Sequence, residues 1–221
     1  MPLIMFDMDG TLIDTHGLIS EHMATAFTDN GLPEPTPADV RQIIGLSLPI
    51  AVARLAPSSD AAFVDRVVDS YRSAYRESLE HNAEREPLYP GARDALDRLH
   101  RRPEMQLGIA TGKGLSGVHR ILANHAIAGH FVTLQTPDHN PSKPDPGMLL
   151  SAMRDTGASP NETIMIGDTT FDIELAMNAG CQAIGVTWGY HDPSDLLRAG
   201  AGAMIDAYDE LDAAIARLLE D

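Results

Sequence analysis

Short apolar runs alternate with helical patterns through the second part of the chain, from about residue 90 onward. One more run stands at the N-terminus, so the candidate strands cover residues 3–6, 106–110, 131–134, 163–166 and 183–186. Between them, residues 92–99 follow Pro90 and Gly91 and place apolar side chains at helical spacing. Short apolar runs separated by helices are typical of parallel strands that are buried on both faces. The pattern therefore predicts an α/β fold with a parallel sheet.

Residues 16 to about 86 have a different pattern, because strand-like runs are absent there. One helix is indicated by four apolar residues at helical spacing: Leu18, Ile19, Met23 and Phe27. A second helix is indicated by residues that step by four: Phe63, Val67, Tyr71 and Tyr75. We expect this second stripe to pack in a core rather than to line a ligand pocket. The sequence thus predicts an α/β core at residues 1–15 and 88–221 and a helical insertion at 16–87, with hinges near 14–17 and 84–91.

The amino-acid composition argues against some classes of binding partner. The net charge is −16, from 32 acidic and 16 basic residues, and such a surface repels nucleic acid and anionic membranes. Most of the acidity serves solubility. Cys181 is the only cysteine, so a disulfide within the chain is impossible and a buried, inert thiol is expected. No stretch approaches the roughly 20 apolar residues of a membrane span. We expect a cytoplasmic protein, and the sequence leaves its oligomeric state open.

Polar side chains follow three of the predicted strands at the point where each strand ends. The three sets, in chain order, are Asp7 and Asp9, then Thr111 and Gly112, then Asp168 and Asp172. In open parallel sheets, ligands bind outside the carboxyl ends of the strands. We therefore expect these groups to converge at one edge of the sheet.

The carboxylates among these groups would raise one another's pKa values if they stood alone together. A hard divalent cation resolves that conflict, and Mg²⁺ takes oxygen ligands from carboxylates together with substrate phosphate. Clusters of histidine or cysteine with zinc spacing are absent from the sequence. Lys143, one of only two lysines, stands between prolines and could bind a phosphate dianion, or it could be a solvated loop residue. Together these features predict phosphoryl transfer through a carboxylate nucleophile, with Asp7 and Asp9 dividing the work.

Four motifs in order resemble the haloacid dehalogenase superfamily of phosphohydrolases. They are FDMDGT at residues 6–11, IATG at 109–112, SKPDP at 142–146 and GDTTFD at 167–172. The resemblance implies a Rossmann-like core and identifies the insertion as a small helical cap. Among capped relatives, the chain is similar to phosphoglycolate phosphatases. What this resemblance implies is a Mg²⁺-dependent phosphatase that hydrolyses a small phosphorylated metabolite through an aspartyl-phosphate.

The resemblance also implies a role for each matching residue. The implied catalytic residues are Asp7 as nucleophile, Asp9 as general acid and base, Thr111 and Lys143. The implied metal ligands are Asp7, the backbone carbonyl of Asp9, and Asp168, with Asp172 supporting the site. The implied phosphate-binding residues are Thr111, Gly112 and Lys143. Thr11 matches a position that orients the first loop, although a plain turn or cap hydroxyl explains it nearly as well.

Other activities within and outside this family have to be compared with these residues. The dehalogenases lack the second aspartate of the first motif, so Asp9 argues against that chemistry. The phosphonate-cleaving members use a cap lysine, and no lysine precedes Lys113. A sugar phosphomutase of the β-phosphoglucomutase type shares the whole core site and stays open. A regulatory or binding protein without turnover also stays open, but such proteins usually lose a catalytic carboxylate.

Overall fold

A six-stranded parallel sheet forms the centre of the molecule. The computed structural model describes residues 1–58, 60–81 and 86–220. The strands are β1 Leu3–Phe6, β2 Gln106–Ala110, β3 Thr133–Gln135, β4 Thr163–Gly167, β5 Gln182–Val186 and β6 Ala203–Ile205. They lie in the order β3-β2-β1-β4-β5-β6, and every neighbouring pair is parallel. The predicted α/β fold with a Rossmann-like parallel sheet is confirmed.

Helices cover both faces of this sheet. The first four helices of the chain form a separate layer. The helices that flank the sheet are α5 Ala92–His100, α6 Leu115–Asn124, α7 Gly147–Thr156, α8 Thr170–Asn178, α9 Pro193–Ala199 and α10 Leu211–Glu220. Ile4 and Phe6 of β1 pack with α5, α6 and α10, whereas Leu3 and Met5 pack with α7, α8 and α9. Successive side chains of a strand point to opposite faces, so β1 has to be apolar throughout to serve both layers.

One predicted strand needs correction, and one strand was missed. Strand β3 begins at Thr133 rather than at residue 131, because Val132 is 60% exposed and a 3₁₀ turn at Ala128–His130 precedes it. Strand β6 has only three residues and was not predicted from the sequence. It lies at the edge of the sheet beyond β5, where it pairs with one neighbour only. The three strands that lead to the predicted site, β1, β2 and β4, were each predicted to within one residue.

A separate helical layer stands before β2 in the chain; we use this name for residues 16–58 and 60–81. Its helices are α1 His16–Asp29, α2 Pro37–Arg41, α3 Leu48–Leu55 and α4 Ala61–His81. They share a hydrophobic cluster that includes Met23, Phe27, Val52 and Val67. The predicted hinge at residues 84–91 lies partly outside the described residues, as do positions 59 and 82–85 of the predicted insertion. The boundaries of the two units stay a prediction.

Local signals explain where these helices begin and end. Helix α2 starts at a capping box in which Thr36 and Asp39 bond each other's backbone N–H groups, with Pro37 in the first turn. Helix α1 is followed by Gly31, whose φ of 70° lies in the left-handed region that favours glycine. Within the described ranges, no helix has the length and apolar character that crossing a bilayer requires.

Candidate active site

The carboxyl ends of β1, β2 and β4 meet at one edge, as the sequence predicted for the polar groups that follow them. Five of the predicted site residues are buried there, each at most 1% exposed: Asp7, Thr111, Lys143, Asp168 and Asp172. The chain turns sharply after β1 because Gly10 adopts a φ of 85°. A side chain at Gly10 would overlap the carboxylate of Asp168 and the ring of Tyr190. The turn therefore depends on glycine.

Three carboxylates form the acidic centre of this edge. Asp7, Asp168 and Asp172 each place one oxygen within 4.8 Å of the others. Among the described residues, Oδ1 of Asp7 has only the ion pair with Lys143, and Oδ2 has no hydrogen-bond partner. Burial raises the pKa of Asp7 to about 7, with the charge of Lys143 opposing and those of Asp172 and Asp9 adding to the rise. Burial likewise raises the pKa of Asp168 well above its ordinary value, helped by Asp172 and Asp7.

This acidic centre fits a divalent cation. Its donors are carboxylate oxygens only, which is the ligand type that Mg²⁺ prefers, and Oδ2 of Asp7, which has no partner among the described residues, provides a free ligand position. Burial without hydrogen bonds is costly for an ionised carboxylate, so a cation would relieve a cost that the protein side chains only partly offset. The side chain of Asp9 lies outside this group.

Lys143 is the only basic group that contacts this centre in the described residues. Its Nζ lies 3.0 Å from Oδ1 of Asp7 and 2.5 Å from Oδ1 of Asp172, and the residue is 1% exposed. Burial alone would lower the pKa of Lys143, but the carboxylates of Asp172 and Asp7 outweigh it and raise the pKa. The alternative that Lys143 is a solvated loop residue is therefore wrong.

The other two carboxylates are held in place by hydrogen bonds from neighbouring segments. Asp172 belongs to a capping box at the start of α8, where its Oδ2 accepts from the backbone N–H (3.0 Å) and the hydroxyl (2.8 Å) of Thr169. Asp168 accepts from the hydroxyl of Thr11 at 2.8 Å and from the backbone N–H of Tyr190 at 2.9 Å. The hydroxyl of Thr11 thus joins the first loop to the strand-end carboxylate, rather than acting as a plain cap.

Asp9 faces a different environment from Asp7, although only one residue separates them. Its Oδ1 accepts a hydrogen bond from the hydroxyl of Thr15 at 2.8 Å and lies 3.2 Å from Nζ of Lys113. Thr15 is the N-cap residue immediately before α1, and its hydroxyl also lies 3.2 Å from that of Tyr190. Asp9 is therefore positioned by the segment that leads into the helical layer.

A chain of polar contacts continues from Lys113 and was missed at the level of sequence. Nζ of Lys113 donates to the hydroxyl of Tyr75 at 3.2 Å and lies 5.0 Å from the centre of that ring. The Tyr75 hydroxyl donates to Glu86, which is 2% exposed and also pairs with Arg120 of α6. Burial alone would lower the pKa of Lys113, but the carboxylate of Asp9, with Tyr71 and Glu86, raises it. These contacts join the helical layer to the core.

The expectation that the aromatic stripe of α4 packs in a core is only half right. Val67 is wholly buried in the cluster of the helical layer, and Phe63 and Tyr71 pack against it. Tyr75 instead points to Lys113 and Glu86, and Tyr71 and Tyr75 both line a cavity. A signal for Lys113 was present in the sequence, since one of the two lysines directly follows Thr111 and Gly112.

A cavity of about 1130 Å³ lies between the carboxyl edge of the sheet and the helical layer. Asp7, Asp9, Thr111, Gly112 and Lys113 line it from the core. The helical layer contributes many apolar and aromatic residues, among them Ile19, Met23, Leu46, Leu48, Tyr71 and Tyr75, and also the charged Asp69, Arg72 and Arg76. Such a cavity, mostly apolar with a few converging polar groups, is typical of a site for a small molecule.

The helical layer contacts the core directly at the mouth of this cavity. A Cβ added to Gly112 would lie 2.7 Å from the carbonyl oxygen of Gly45 and closer still to that of Leu46. Nearby, the backbone N–H of Ser47 donates to the hydroxyl of Ser142 at 2.8 Å. The segment between α2 and α3 therefore rests on the loops that carry Thr111 and Lys143.

Comparison with known proteins gives consistent matches. The family described as "Haloacid dehalogenase-like hydrolase" matches residues 4–186. The chain is 34% identical to "Probable phosphatase IndB" of Dickeya dadantii strain 3937, over 99% of this chain and 95% of that protein. It is 33% identical to "Phosphoglycolate phosphatase" of Pseudomonas putida KT2440, over 86% and 70% respectively. Among solved structures, a hydrolase from Pseudomonas syringae superimposes with a TM-score of 0.86 at 25% identity, covering 98% and 99% of the two chains.

Proposed function

The chain belongs to the haloacid dehalogenase-like hydrolases, and from that membership we propose that it is a Mg²⁺-dependent phosphatase acting through an aspartyl-phosphate. The enzyme is a hydrolase of phosphoric monoesters. One observation supports the mechanism most strongly. Asp7 lies beside Lys143 and two further carboxylates and lines the cavity, and its Oδ2 has no partner among the described residues. A carboxylate that lines a cavity and keeps one oxygen without a partner is available both as a nucleophile and as a metal ligand.

The first half-reaction follows from the positions of Asp7 and Asp9. An oxygen of Asp7 attacks phosphorus, and the bond between phosphorus and the ester oxygen breaks. The electron pair remains on the leaving oxygen, which takes a proton from the carboxyl of Asp9. Thr111 and Lys143 hold the oxygens of the phosphoryl group, with help from the backbone N–H near Gly112.

The second half-reaction uses the same two residues. Asp9, now a carboxylate, takes a proton from a water molecule as that water attacks phosphorus. The bond between phosphorus and Asp7 breaks, which releases phosphate and restores the Asp7 carboxylate. We propose that Asp7, Asp168 and the backbone carbonyl of Asp9 hold Mg²⁺, while Asp172 supports the site. A bound Mg²⁺ would neutralise charge on the phosphoryl oxygens and make the approach of one anion to another possible.

The proposed substrate is a small phosphorylated metabolite of the phosphoglycolate type. The proposal is supported by relatives that carry the name phosphoglycolate phosphatase, and by a cavity that the helical layer closes over the strand ends. The strongly negative chain speaks against nucleic acid as a substrate, because such binding depends on basic patches. We also propose the cytoplasm as the location. The single cysteine is a buried free thiol, whose pKa burial raises to about 11, and this suits a reducing compartment.

The test is phosphate release from p-nitrophenyl phosphate and 2-phosphoglycolate, each with Mg²⁺ and with EDTA. We expect turnover that requires Mg²⁺ and is lost in Asp7→Asn by several orders of magnitude. Turnover that persists in EDTA, or in Asp7→Asn, refutes the mechanism. Rapid phosphate release also separates a phosphatase from a sugar phosphomutase, for which β-glucose 1-phosphate is the matching substrate. A binding protein without turnover releases no phosphate from any of them.

A further inference from the structure

Lys113 lies beside the position that the leaving group of the substrate has to occupy. In the proposed mechanism, Asp9 gives its proton to the ester oxygen, so the first atoms beyond that oxygen lie next to the Asp9 carboxylate. Nζ of Lys113 is 3.2 Å from Oδ1 of Asp9, and Lys113 lines the cavity. The other lysine, Lys143, is fully buried between Asp7 and Asp172, where it serves the phosphoryl group.

The ammonium of Lys113 has a donor to spare in this position. An ammonium has three N–H donors, and the contacts described above use two of them, on Asp9 and on the hydroxyl of Tyr75. Both contacts are 3.2 Å long. The side chain is 12% exposed, so the remaining donor has access to the cavity.

The ring of Tyr75 holds the side chain of Lys113 in place, and the nearby carboxylate of Glu86 is paired with another cation. The ring of Tyr75 lies 5.0 Å from Nζ, within the range of a cation–π contact. Glu86, whose carboxylate contributes to the field at Lys113, already pairs with Arg120. The wall beside Asp9 therefore presents a fixed cation close to the ester oxygen.

We infer that Lys113 determines substrate specificity by binding a carboxylate on the alcohol part of the phosphomonoester, close to the ester oxygen. This inference rests on the proposed phosphatase function and names the substrate feature that the site selects. A carboxylate one carbon away from the ester oxygen reaches Lys113 while phosphorus faces Asp7. A neutral group at the same place gains no ion pair, and charge-assisted hydrogen bonds are about twice as strong as neutral ones.

Two substrates that differ in one group isolate this effect: 2-phosphoglycolate and 2-hydroxyethyl phosphate, in which a neutral hydroxymethyl group replaces the carboxylate. We compare kcat/KM for both in the wild type, Lys113→Met, Lys113→Arg and Arg72→Met. Arg72 is the matched control, because it is a cation lining the same cavity and it forms an ion pair with Asp69. Binding of both compounds to Asp7→Asn and to Asp7→Asn/Lys113→Met, measured by calorimetry, separates affinity from turnover.

Lys113→Met should lower kcat/KM for 2-phosphoglycolate by about tenfold to a hundredfold more than for 2-hydroxyethyl phosphate, mainly through KM. Lys113→Arg should keep most of the preference, and Arg72→Met should change both substrates alike. The inference is overturned if Lys113→Met slows both substrates equally, since Lys113 would then act only on Asp9. It is also overturned if Lys113→Arg loses the preference as fully as Lys113→Met, or if Arg72→Met loses it. Failure of the wild type to release phosphate from either compound would instead refute the proposed function.

Discussion

The backbone of the helical layer packs closely against Gly112, which has no side chain to obstruct it. We predict that the added methyl group of Gly112→Ala holds that layer away from the core. The backbone of Gly112 does not have a positive φ, so alanine fits its conformation. The obstacle is the carbonyl oxygens of Gly45 and Leu46 across the cavity mouth. The added methyl group thus tests the closed arrangement and leaves the charged centre untouched.

The size of the effect follows from the distances. The added Cβ would start 2.7 Å from the oxygen of Gly45, whereas ordinary contact begins at 3.4 Å, and the oxygen of Leu46 is nearer. The segment between α2 and α3 therefore has to retreat by about 1 Å, and a misplacement of that size can cost about a hundredfold in rate. Because the layer can move away, the free energy of unfolding should fall by less than about 3 kcal/mol.

The assay is kcat/KM on 2-phosphoglycolate together with urea unfolding. Gly114→Ala is the matched control, since a Cβ there would meet its nearest atom, an oxygen of Asp138, at an ordinary 3.6 Å. Gly114 is also the residue before α6, so alanine there costs up to about 1 kcal/mol of stability. We expect Gly112→Ala to lose roughly tenfold to a hundredfold in kcat/KM and Gly114→Ala to stay within about threefold. Wild-type kcat/KM in folded Gly112→Ala would refute the reasoning.

Three further predictions concern the charges. In metal-free protein, Asp7→Asn should raise the free energy of unfolding at pH 8 by up to about 4 kcal/mol, because burial raises the pKa of Asp7 to about 7 from 3.8. This gain in the free energy of unfolding should shrink as the pH falls from 7 towards 4, because protonation then removes the buried charge in the wild type. Added Mg²⁺ should stabilise the wild type more than the variant. Urea unfolding across that pH range, with and without Mg²⁺, checks both expectations. Lys143→Met should destabilise the protein by roughly 3–5 kcal/mol at pH 7, since it leaves Asp7 and Asp172 without their cation, and a smaller loss than for Lys113→Met in the same unfolding assay would contradict this. Glu86→Gln should cost about 1–3 kcal/mol at pH 7 by thermal or urea unfolding. Burial alone would raise the pKa of Glu86, but Arg120 and Lys113 lower it, so its stabilising effect is present above pH 4.5 and the difference from the wild type should close as the pH falls below that value.

The strands that carry the site could be predicted because their environment is simple. β1, β2 and β4 are buried on both faces over most of their length, so each appears in the sequence as a mainly apolar run, and the polar group that follows the run marks the edge of the sheet. β6 could not be recognised in the same way, because three residues after Gly202 carry too little pattern. Because parallel strands end at the same edge of a sheet, the strand positions alone were enough to predict that Asp7, Thr111 and Asp168 lie close together.

The contacts across the cavity could not be predicted, since they join residues that no local pattern connects. Lys113 and Tyr75 are 38 positions apart, and Glu86 and Arg120 are 34 apart. Tyr75 continues the spacing of Val67 and Tyr71, so its periodicity alone indicates packing in the helical layer. Its hydroxyl leaves that layer only because Lys113 and Glu86 offer polar partners on the far side. Tertiary structure decides between the two environments.

The central claim is that Asp7 carries the phosphoryl group during turnover, and acid quenching tests it directly. Enzyme with Mg²⁺ and excess 2-phosphoglycolate is quenched during turnover, and the peptide that contains Asp7 is weighed by mass spectrometry. We predict one added phosphoryl group on Asp7, more of it in Asp9→Asn if hydrolysis of the intermediate is the slower step, and none in Asp7→Asn or with EDTA. Phosphate release at the wild-type rate from Asp7→Asn, or a phosphoryl group found on a residue other than Asp7, would contradict the account.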